Sequence, residues 1–208
     1  MSTVHRIHSE SESRTVLENV AWDTYSALAD QRRGSVPRMT YDNGVLEMMS
    51  PTREHENIGR LIGRMVETYS ERKDIEIISV ASVTVKRSDL SKAFEADESY
   101  YIPHATQLLP KIELDFGVDP PPDLVIEIEL TSSAIKKMQL FAAMHILEVW
   151  RHDGESLQMY RWEDGTYHLI ESSLQLPGLT SHRINETLAL RDSIGETKLI
   201  QRFRNSIE

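Results

Sequence analysis

The chain has 208 residues, 39% of them hydrophobic and 27% charged, which is typical of one globular domain with a sizeable core. Its net charge of −10 argues against a non-specific nucleic-acid-binding protein, which needs a basic surface to displace counterions. The absence of cysteine excludes disulfides and thiolate zinc sites. Since no apolar run reaches the ~20 residues that cross a bilayer and the N-terminus shows no apolar signal segment, we expect a cytoplasmic protein without a membrane partner.

The first predicted elements are a tail, a helix and a hairpin. Residues 1–15 are polar and show no apolar periodicity, which predicts a flexible tail. Apolar residues at helical spacing predict a short amphipathic helix over residues 16–29. A β-hairpin is predicted over residues 39–50, because Asn43 and Gly44 favour the positive φ angles of its turn.

The clearest helix is predicted over residues 54–73, where apolar residues recur every three or four positions. Thr52 precedes this segment and is its expected N-cap. His55 lies three residues before Ile58, where the apolar stripe begins. We therefore expect His55 at the inner edge of the first helical turn.

The rest of the chain alternates strands with a helix and ends in a helical region. The predicted elements are strands at 75–79 and 83–87, a loop at 92–96, a strand at 97–102, a proline-rich connection at 107–122, a strand at 123–130, a helix at 134–144, three strand-like runs between 147 and 172, and helix within 183–204. Ser132 or Ser133 is the expected cap of the helix at 134–144. This order predicts an α/β or α+β fold with helices packed on a mixed sheet.

The strand at 123–130 has one apolar face and one acidic face. Leucine and isoleucine occupy its even positions, whereas Asp123, Glu127 and Glu129 share the opposite face with Val125. Like charges two residues apart repel one another, and each costs several kcal/mol when it is buried alone. Such a face requires water, basic partners or a metal ion, and a solvated face is the commoner outcome.

Three carboxylates lie near the ends of strands that a sheet would place side by side, namely those of Glu47, Asp97 and Glu127. Hydrolysis of a phosphodiester uses one or two divalent cations, which a few carboxylates hold together with water and substrate. A nearby lysine would orient the attacking water. Taken singly, each residue is also explained as a turn, strand or surface residue. Phosphate-binding loops, nucleophile elbows and His-Glu-x-x-His motifs are absent from the sequence.

Four segments, in this order, resemble the Uma2 family of restriction endonucleases, in the PD-(D/E)XK nuclease superfamily. They are YDNGVLEMMSPTREH, FEADESYYI, PPDLVIEIELTSSAIKK and EVWRHD, and the similarity extends over about residues 22–177. The resemblance implies a restriction endonuclease-like domain over residues 16–180, with a mixed central sheet flanked by helices and an N-terminal hairpin. Residues 181–208 would form a helical C-terminal appendage.

The resemblance also implies roles for individual residues. Asp97 and Glu127 match the two acidic positions of the family and would bind Mg²⁺ or Mn²⁺, with Glu47 as a further acidic ligand. Lys137, in the helix that follows, takes the place of the catalytic lysine, and Lys86 is the alternative.

Two other positions near the expected site are notable. The superfamily motif has a lysine two residues after its second acid, whereas this chain has Glu129. Glu129 would add negative charge beside the catalytic residues, so turnover depends on whether Lys137 reaches the site. His55 matches the histidine at the start of the family's helix.

The function implied by the resemblance is that of a Mg²⁺- or Mn²⁺-dependent endonuclease acting on DNA, as a homodimer where both strands are cut. Two alternatives stay open. One is a catalytically inactive nuclease fold that serves as a binding or scaffold module, which the net charge and Glu129 favour. The other is a hydrolase of small phosphoesters. The combination of Asp97, Glu127 and Lys137 favours catalysis.

Overall fold

The structure is a computed structural model that describes residues 12–32, 34, 36–109 and 111–207. Its helices are α1 (Trp22–Gln31), α2 (Arg53–Lys73), α3 (Ala105–Leu108), α4 (Lys137–Ala143), α5 (Ser181–Leu188) and α6 (Glu196–Asn205). Its strands are β1 (Ser13–Leu17), β2 (Arg38–Asp42), β3 (Val45–Ser50), β4 (Ile78–Ser79), β5 (Thr84–Arg87), β6 (Lys92–Glu95), β7 (Glu98–Tyr101), β8 (Leu124–Ile128), β9 (Glu148–His152), β10 (Leu157–Glu163) and β11 (Thr166–Ile170). No helix within the described ranges has the length and apolar character needed to span a membrane.

The described strands form two sheets. One has the order β1-β3-β2-β6-β5 and is antiparallel throughout. The other has the order β11-β10-β9-β8-β7-β4, in which β8 and β9 are parallel and the remaining pairs antiparallel. Helix α4 makes the crossover that a parallel pair requires. The predicted mixed sheet flanked by helices is therefore confirmed. The predicted hairpin, β2 and β3, forms part of the second, five-stranded sheet.

The centre of the six-stranded sheet, at β7 and β8, is buried on both faces. Helices α2, α5 and α6 cover one face in a cluster that includes Ile126 and Phe203. Helix α4 and strands β5 and β6 cover the other, where Val125 packs with Phe141 and Phe94. Because neither face of β8 is open to water, its charged residues must find their partners inside the protein.

The two C-terminal helices belong to the main core. Ile184 of α5 and Leu199 and Phe203 of α6 are buried in the same cluster as the apolar stripe of α2. The helical region predicted at 183–204 is thus two helices, and both pack against the nuclease-like domain.

Local turn and cap chemistry explains the elements that the sequence predicted well. Asn43 and Gly44 have φ angles of 47° and 94°, as the predicted hairpin turn between β2 and β3 requires. The Thr52 hydroxyl accepts a hydrogen bond of 3.2 Å from the amide of His55, so the predicted cap is confirmed. This cap fixes His55 in the first turn of α2.

Three sequence-based assignments are wrong. Within the predicted tail, Glu12 is buried and Ser13–Leu17 forms strand β1, although residues 1–11 lie outside the described residues. The helix predicted to begin at residue 16 begins at Trp22. The loop predicted at 92–96 contains Lys92–Glu95, which is strand β6. Neither missed strand shows clear apolar alternation, so the sequence pattern does not predict it. Strand β1 is held by pairing with β3, and strand β6 by pairing with β2 and β5.

Glu98 on β7 provides a test of this packing. Its side chain is only 11% exposed, and burial raises its pKa from 4.5 to about 7, although Arg60 at 3.9 Å opposes the rise. The unfolded chain then loses this proton at lower pH than the folded protein does, so the free energy of unfolding falls between about pH 4.5 and pH 7. Relative to Glu98→Gln, we expect a loss of at most about 3 kcal/mol across that window.

Urea denaturation of wild type and Glu98→Gln at half-unit pH steps measures this difference. A difference that stays constant from pH 4.5 to pH 8 would show that Glu98 is hydrated in the folded protein.

Candidate active site

Asp97 lies at the bend between β6 and β7, beside the end of β8. Strand β7 runs antiparallel to β8 with Glu98 paired to Ile126, so the same register places Asp97 opposite Glu127. Asp97 Oδ2 accepts a hydrogen bond of 2.6 Å from the amide of Ile128. The structure thus brings together the two acidic residues that the sequence singled out.

Two cationic side chains hold the other oxygen of Asp97. Arg38 Nη1 lies 2.5 Å from Asp97 Oδ1, and His55 Nε2 lies 2.8 Å from the same atom. Burial alone would raise the pKa of Asp97, but His55, Arg38 and Lys137 outweigh it and hold the pKa below its usual value. Asp97 is therefore an anion at neutral pH, with a partner at each oxygen.

Glu127 is 1% exposed and forms an ion pair with Lys137, whose Nζ contacts Oε2. Its other oxygen, Oε1, is buried and has no hydrogen-bond partner among the described residues. Burial raises the pKa of Glu127 to about 7, and the charges of Asp97 and Glu129 add to the rise, while Lys137 opposes it. One oxygen of this carboxylate is thus left free at the centre of the site.

Lys137 reaches Glu127 from the first position of α4. Burial alone would lower its pKa, but Glu127 and Asp97 outweigh that effect and the pKa lies above its ordinary value. The ammonium group is therefore charged at neutral pH. The residue before it, Lys136, occupies the N-cap without a side-chain cap, so the prediction of Ser132 or Ser133 in that role is wrong.

Glu47 does not join this pair. Its Oε1 accepts hydrogen bonds from Arg14 Nη1 at 2.6 Å and Ser133 Oγ at 2.9 Å, and its Oε2 accepts one from the amide of Ala134 at 2.6 Å. Glu47 therefore holds the loop that leads into α4 and, through this loop, the start of the helix at Lys137.

Glu129 is balanced by the neighbouring strand β9. Two nitrogens of Arg151, Nε and Nη2, lie 2.7 Å and 2.6 Å from Glu129 Oε2. The extra negative charge at the superfamily's lysine position is thus paired with a guanidinium group. The negative charge of Glu129 still contributes to raising the pKa of both Glu127 and Lys137.

Lys86 lies in the other sheet. Its ammonium group pairs with Asp30 of α1, and none of its described contacts is with Asp97 or Glu127. Lys137 is therefore the lysine that the fold brings to the acidic pair.

His55 connects Asp97 to the residue before β1. The imidazole is fully buried, and its Nδ1 contacts Glu12 Oε1 while its Nε2 contacts Asp97. A carboxylate oxygen lies at each ring nitrogen, and Arg38 Nη1 also lies 3.1 Å from Nε2, so the ring is held from both ends. Burial would lower its pKa, but Asp97 and Glu12 outweigh that effect and raise it above the usual value.

The buried charges in this cluster are paired. The carboxylates of Glu12, Asp97 and Glu127 each contact at least one cationic partner, and these partners are Arg14, Arg38, His55 and Lys137. Burying so many charges is tolerable only because each has an oppositely charged partner at contact distance.

The two central carboxylates fit one hard cation. Asp97 Oδ2 has one described hydrogen bond and Glu127 Oε1 has none, so each carboxylate retains an acceptor site. Mg²⁺ and Mn²⁺ suit such oxygens, and Mg²⁺ takes most of its remaining ligands from water and substrate. Across the described residues, no group of three or more His, Asp or Glu side chains is arranged to hold a metal ion, so the protein would supply few ligands.

Sequence reasoning missed Arg38, Arg151 and Glu12. Arg38 lies one residue before the predicted hairpin, and its contact with Asp97 joins segments that are far apart in the chain. Arg151 lies opposite Glu127 in the parallel pairing of β8 and β9, which a sequence cannot specify. Glu12 lies in a polar stretch without periodicity and had no signal.

Comparisons with known proteins give the family of the chain and a structure with a similar fold. The model of the family Uma2, described as "Putative restriction endonuclease", matches residues 22–191. A crystal structure of a "putative nuclease belonging to DUF820" from Anabaena variabilis ATCC 29413 matches with a TM-score of 0.56 and 13% identity, covering 80% of this chain and 98% of that one. At this identity the likeness concerns the fold alone. None of the curated proteins compared with the chain matches it.

Removing the lysine tests the buried ion pair. Lys137→Met leaves Glu127 as a buried carboxylate without its cation, which typically costs about 3–5 kcal/mol of unfolding free energy. The pKa of Glu127 then rises further, so the loss is larger at pH 8 than at pH 5. Adding Glu127→Gln to Lys137→Met should recover much of the stability.

Chemical denaturation at both pH values measures these differences, with Lys136→Met as the matched control because Lys136 is exposed. Equal, pH-independent effects of the two lysine substitutions would contradict the buried pair.

Proposed function

Because the chain belongs to the Uma2 family, we propose that it is a metal-dependent endonuclease that hydrolyses phosphodiester bonds in DNA. The observation that carries this proposal is the convergence of Asp97 and Glu127 from neighbouring strands, each with an oxygen that can accept another ligand. A divalent cation, Mg²⁺ or Mn²⁺, is the group that such a pair of carboxylates would hold.

The residues around the pair have distinct tasks in this proposal. Asp97 and Glu127 bind the cation, which supplies polarisation of a phosphoryl oxygen and easier ionisation of water. Lys137 orients the attacking water and offsets negative charge that develops on the phosphoryl group. Arg38 and His55 fix the Asp97 carboxylate by holding Oδ1, so that Oδ2 keeps a constant direction.

The net charge of the chain would repel nucleic acid, so any attraction has to come from the charges near the site. The chain as a whole carries −10, but each buried carboxylate of the site has a cationic partner and Arg151 pairs with Glu129 beside it. Binding of a divalent cation would add positive charge at the site, which suits a phosphodiester. Cutting both strands of a duplex would require two such sites, so we propose a homodimer as the active form.

A second candidate is a nuclease fold that binds its partner without turnover. The observations in its favour are the net charge of −10 and the cations that Asp97 and Glu127 already contact. In that case the ion pairs would be a purely structural substitute for the cation.

The cleavage test uses supercoiled plasmid with Mg²⁺ or Mn²⁺. We expect nicking by the wild type that EDTA abolishes, and at least an approximately 100-fold loss in Asp97→Asn and Glu127→Gln, because loss of metal assistance costs several kcal/mol. Asp23→Asn and Glu155→Gln, at exposed positions, are matched controls that should keep wild-type activity.

Nicking that survives in both site variants would come from a contaminating nuclease. An inactive wild type that still binds Mn²⁺ would favour the non-catalytic candidate. Single-stranded RNA and a small aryl phosphodiester, offered in parallel, identify the substrate class.

Metal binding alone has a thermal signature. A ligand that binds only the folded state stabilises it, by about 2.7 kcal/mol at a concentration 100 times its Kd. For a domain of this size we expect Mn²⁺ to raise the Tm of the wild type by roughly 5–10 °C. The same titration should leave the Tm of Asp97→Asn and Glu127→Gln nearly unchanged. A rise of equal size in both variants would place the bound ion elsewhere.

A further inference from the structure

Strand β1 contributes charged rather than apolar side chains to the interior. It lies at the edge of the five-stranded sheet, and Val16 and Leu17 are 41% and 42% exposed. Its neighbour Glu12, in contrast, is buried, and the Arg14 side chain is only 11% exposed. This strand precedes residue 22, where the match to the family begins. Its inward contacts are therefore features that the family comparison does not account for.

Glu12 reaches the metal-binding pair through His55. Glu12 Oε1 contacts His55 Nδ1, and His55 Nε2 lies 2.8 Å from Asp97 Oδ1. The other oxygen of Glu12 contacts Thr131 and lies 3.1 Å from Arg14 Nη2. Glu12 thus has partners at both oxygens, and the imidazole between two carboxylates has no freedom to turn.

Arg14 connects the same strand to the other half of the site. It donates to Glu47 at 2.6 Å and to the Thr131 hydroxyl at 2.8 Å. Glu47 in turn binds Ser133 and the amide of Ala134, in the loop that ends at Lys137. Asp97 is therefore linked to Glu12, next to β1, through His55. The loop that ends at Lys137 is linked to Arg14 of β1 through Glu47.

We infer that Glu12 is a positioning residue of the site, which holds Asp97 in its ligand geometry by fixing the His55 ring. The inference rests on the proposed function, because the geometry matters only if Asp97 binds a cation. An imidazole held at both nitrogens fixes the direction of the carboxylate that it contacts.

Glu12→Gln keeps the size of the side chain but replaces one carboxylate oxygen with an amide nitrogen, which cannot accept a hydrogen bond. A single remaining acceptor oxygen cannot serve both His55 on one side and Thr131 and Arg14 on the other. The variant therefore loosens the contacts that hold the His55 ring against Asp97.

Isothermal titration of the metal-free full-length protein with Mn²⁺ tests the inference without any substrate. We expect Glu12→Gln to raise the Kd for Mn²⁺ about 10-fold, the lower end of the effect of removing a direct partner of a metal ligand, because Glu12 acts on Asp97 through His55. Glu18→Gln is the matched control, since Glu18 is exposed and lies one residue beyond β1. Its Kd should equal that of the wild type.

A double-mutant cycle separates positioning from general destabilisation. If Glu12 acts through His55, then adding Glu12→Gln to His55→Gln should change the Kd for Mn²⁺ by less than about twofold. A full 10-fold effect in the His55→Gln background would overturn the inference. So would wild-type affinity in Glu12→Gln alone, although the proposed function would then stand. A wild type that binds no Mn²⁺ overturns the proposed function and the inference together.

Proton NMR of the metal-free protein gives a readout that folding stability does not move. The wild type should show slowly exchanging, downfield Nδ1–H and Nε2–H signals of His55, and Glu12→Gln should lose the Nδ1–H signal while its amide spectrum stays dispersed. Unchanged His55 signals in Glu12→Gln would overturn the contact on which the inference depends.

Discussion

Two carboxylates buried side by side are the constraint around which this structure is organised. Asp97, just before β7, lies opposite Glu127 of the antiparallel strand β8, in the part of the sheet that is covered on both faces. Two like charges in such a place would be prohibitive without compensation. The protein supplies that compensation from separate elements, since Arg38 comes from β2, His55 from α2 and Lys137 from α4.

This arrangement links the fold to the chemistry. The paired charges stabilise the buried acids, while Glu127 Oε1 and Asp97 Oδ2 keep acceptor sites that the proposed function would use for a cation. Glu129 and Glu47, which the sequence suggested as extra acids at the site, instead pair with Arg151 and Arg14. The additional acids near Asp97 and Glu127 are thus paired with arginines.

The sequence predicted those parts of the fold and site that depend on neighbours along the chain. Helix α2 and its cap, the hairpin at Asn43 and Gly44, and the alternation of β8 all follow from local spacing and turn chemistry. The resemblance to a family added Asp97 and Lys137, which spacing alone would have left as a turn and a surface residue. What could not be predicted was pairing between distant segments. Strand β1, Glu12 and Arg38 take their roles from partners far along the chain.

The proposed function requires Asp97 and Glu127 to share one divalent cation. Crystals of the wild type grown with Mn²⁺, with diffraction recorded at the manganese absorption edge, locate that ion. We expect an anomalous peak within coordination distance of both Asp97 Oδ2 and Glu127 Oε1. A fully occupied Mn²⁺ that contacts neither carboxylate, or a site in which Lys137 keeps its place on Glu127 and no peak appears at saturating Mn²⁺, would contradict it.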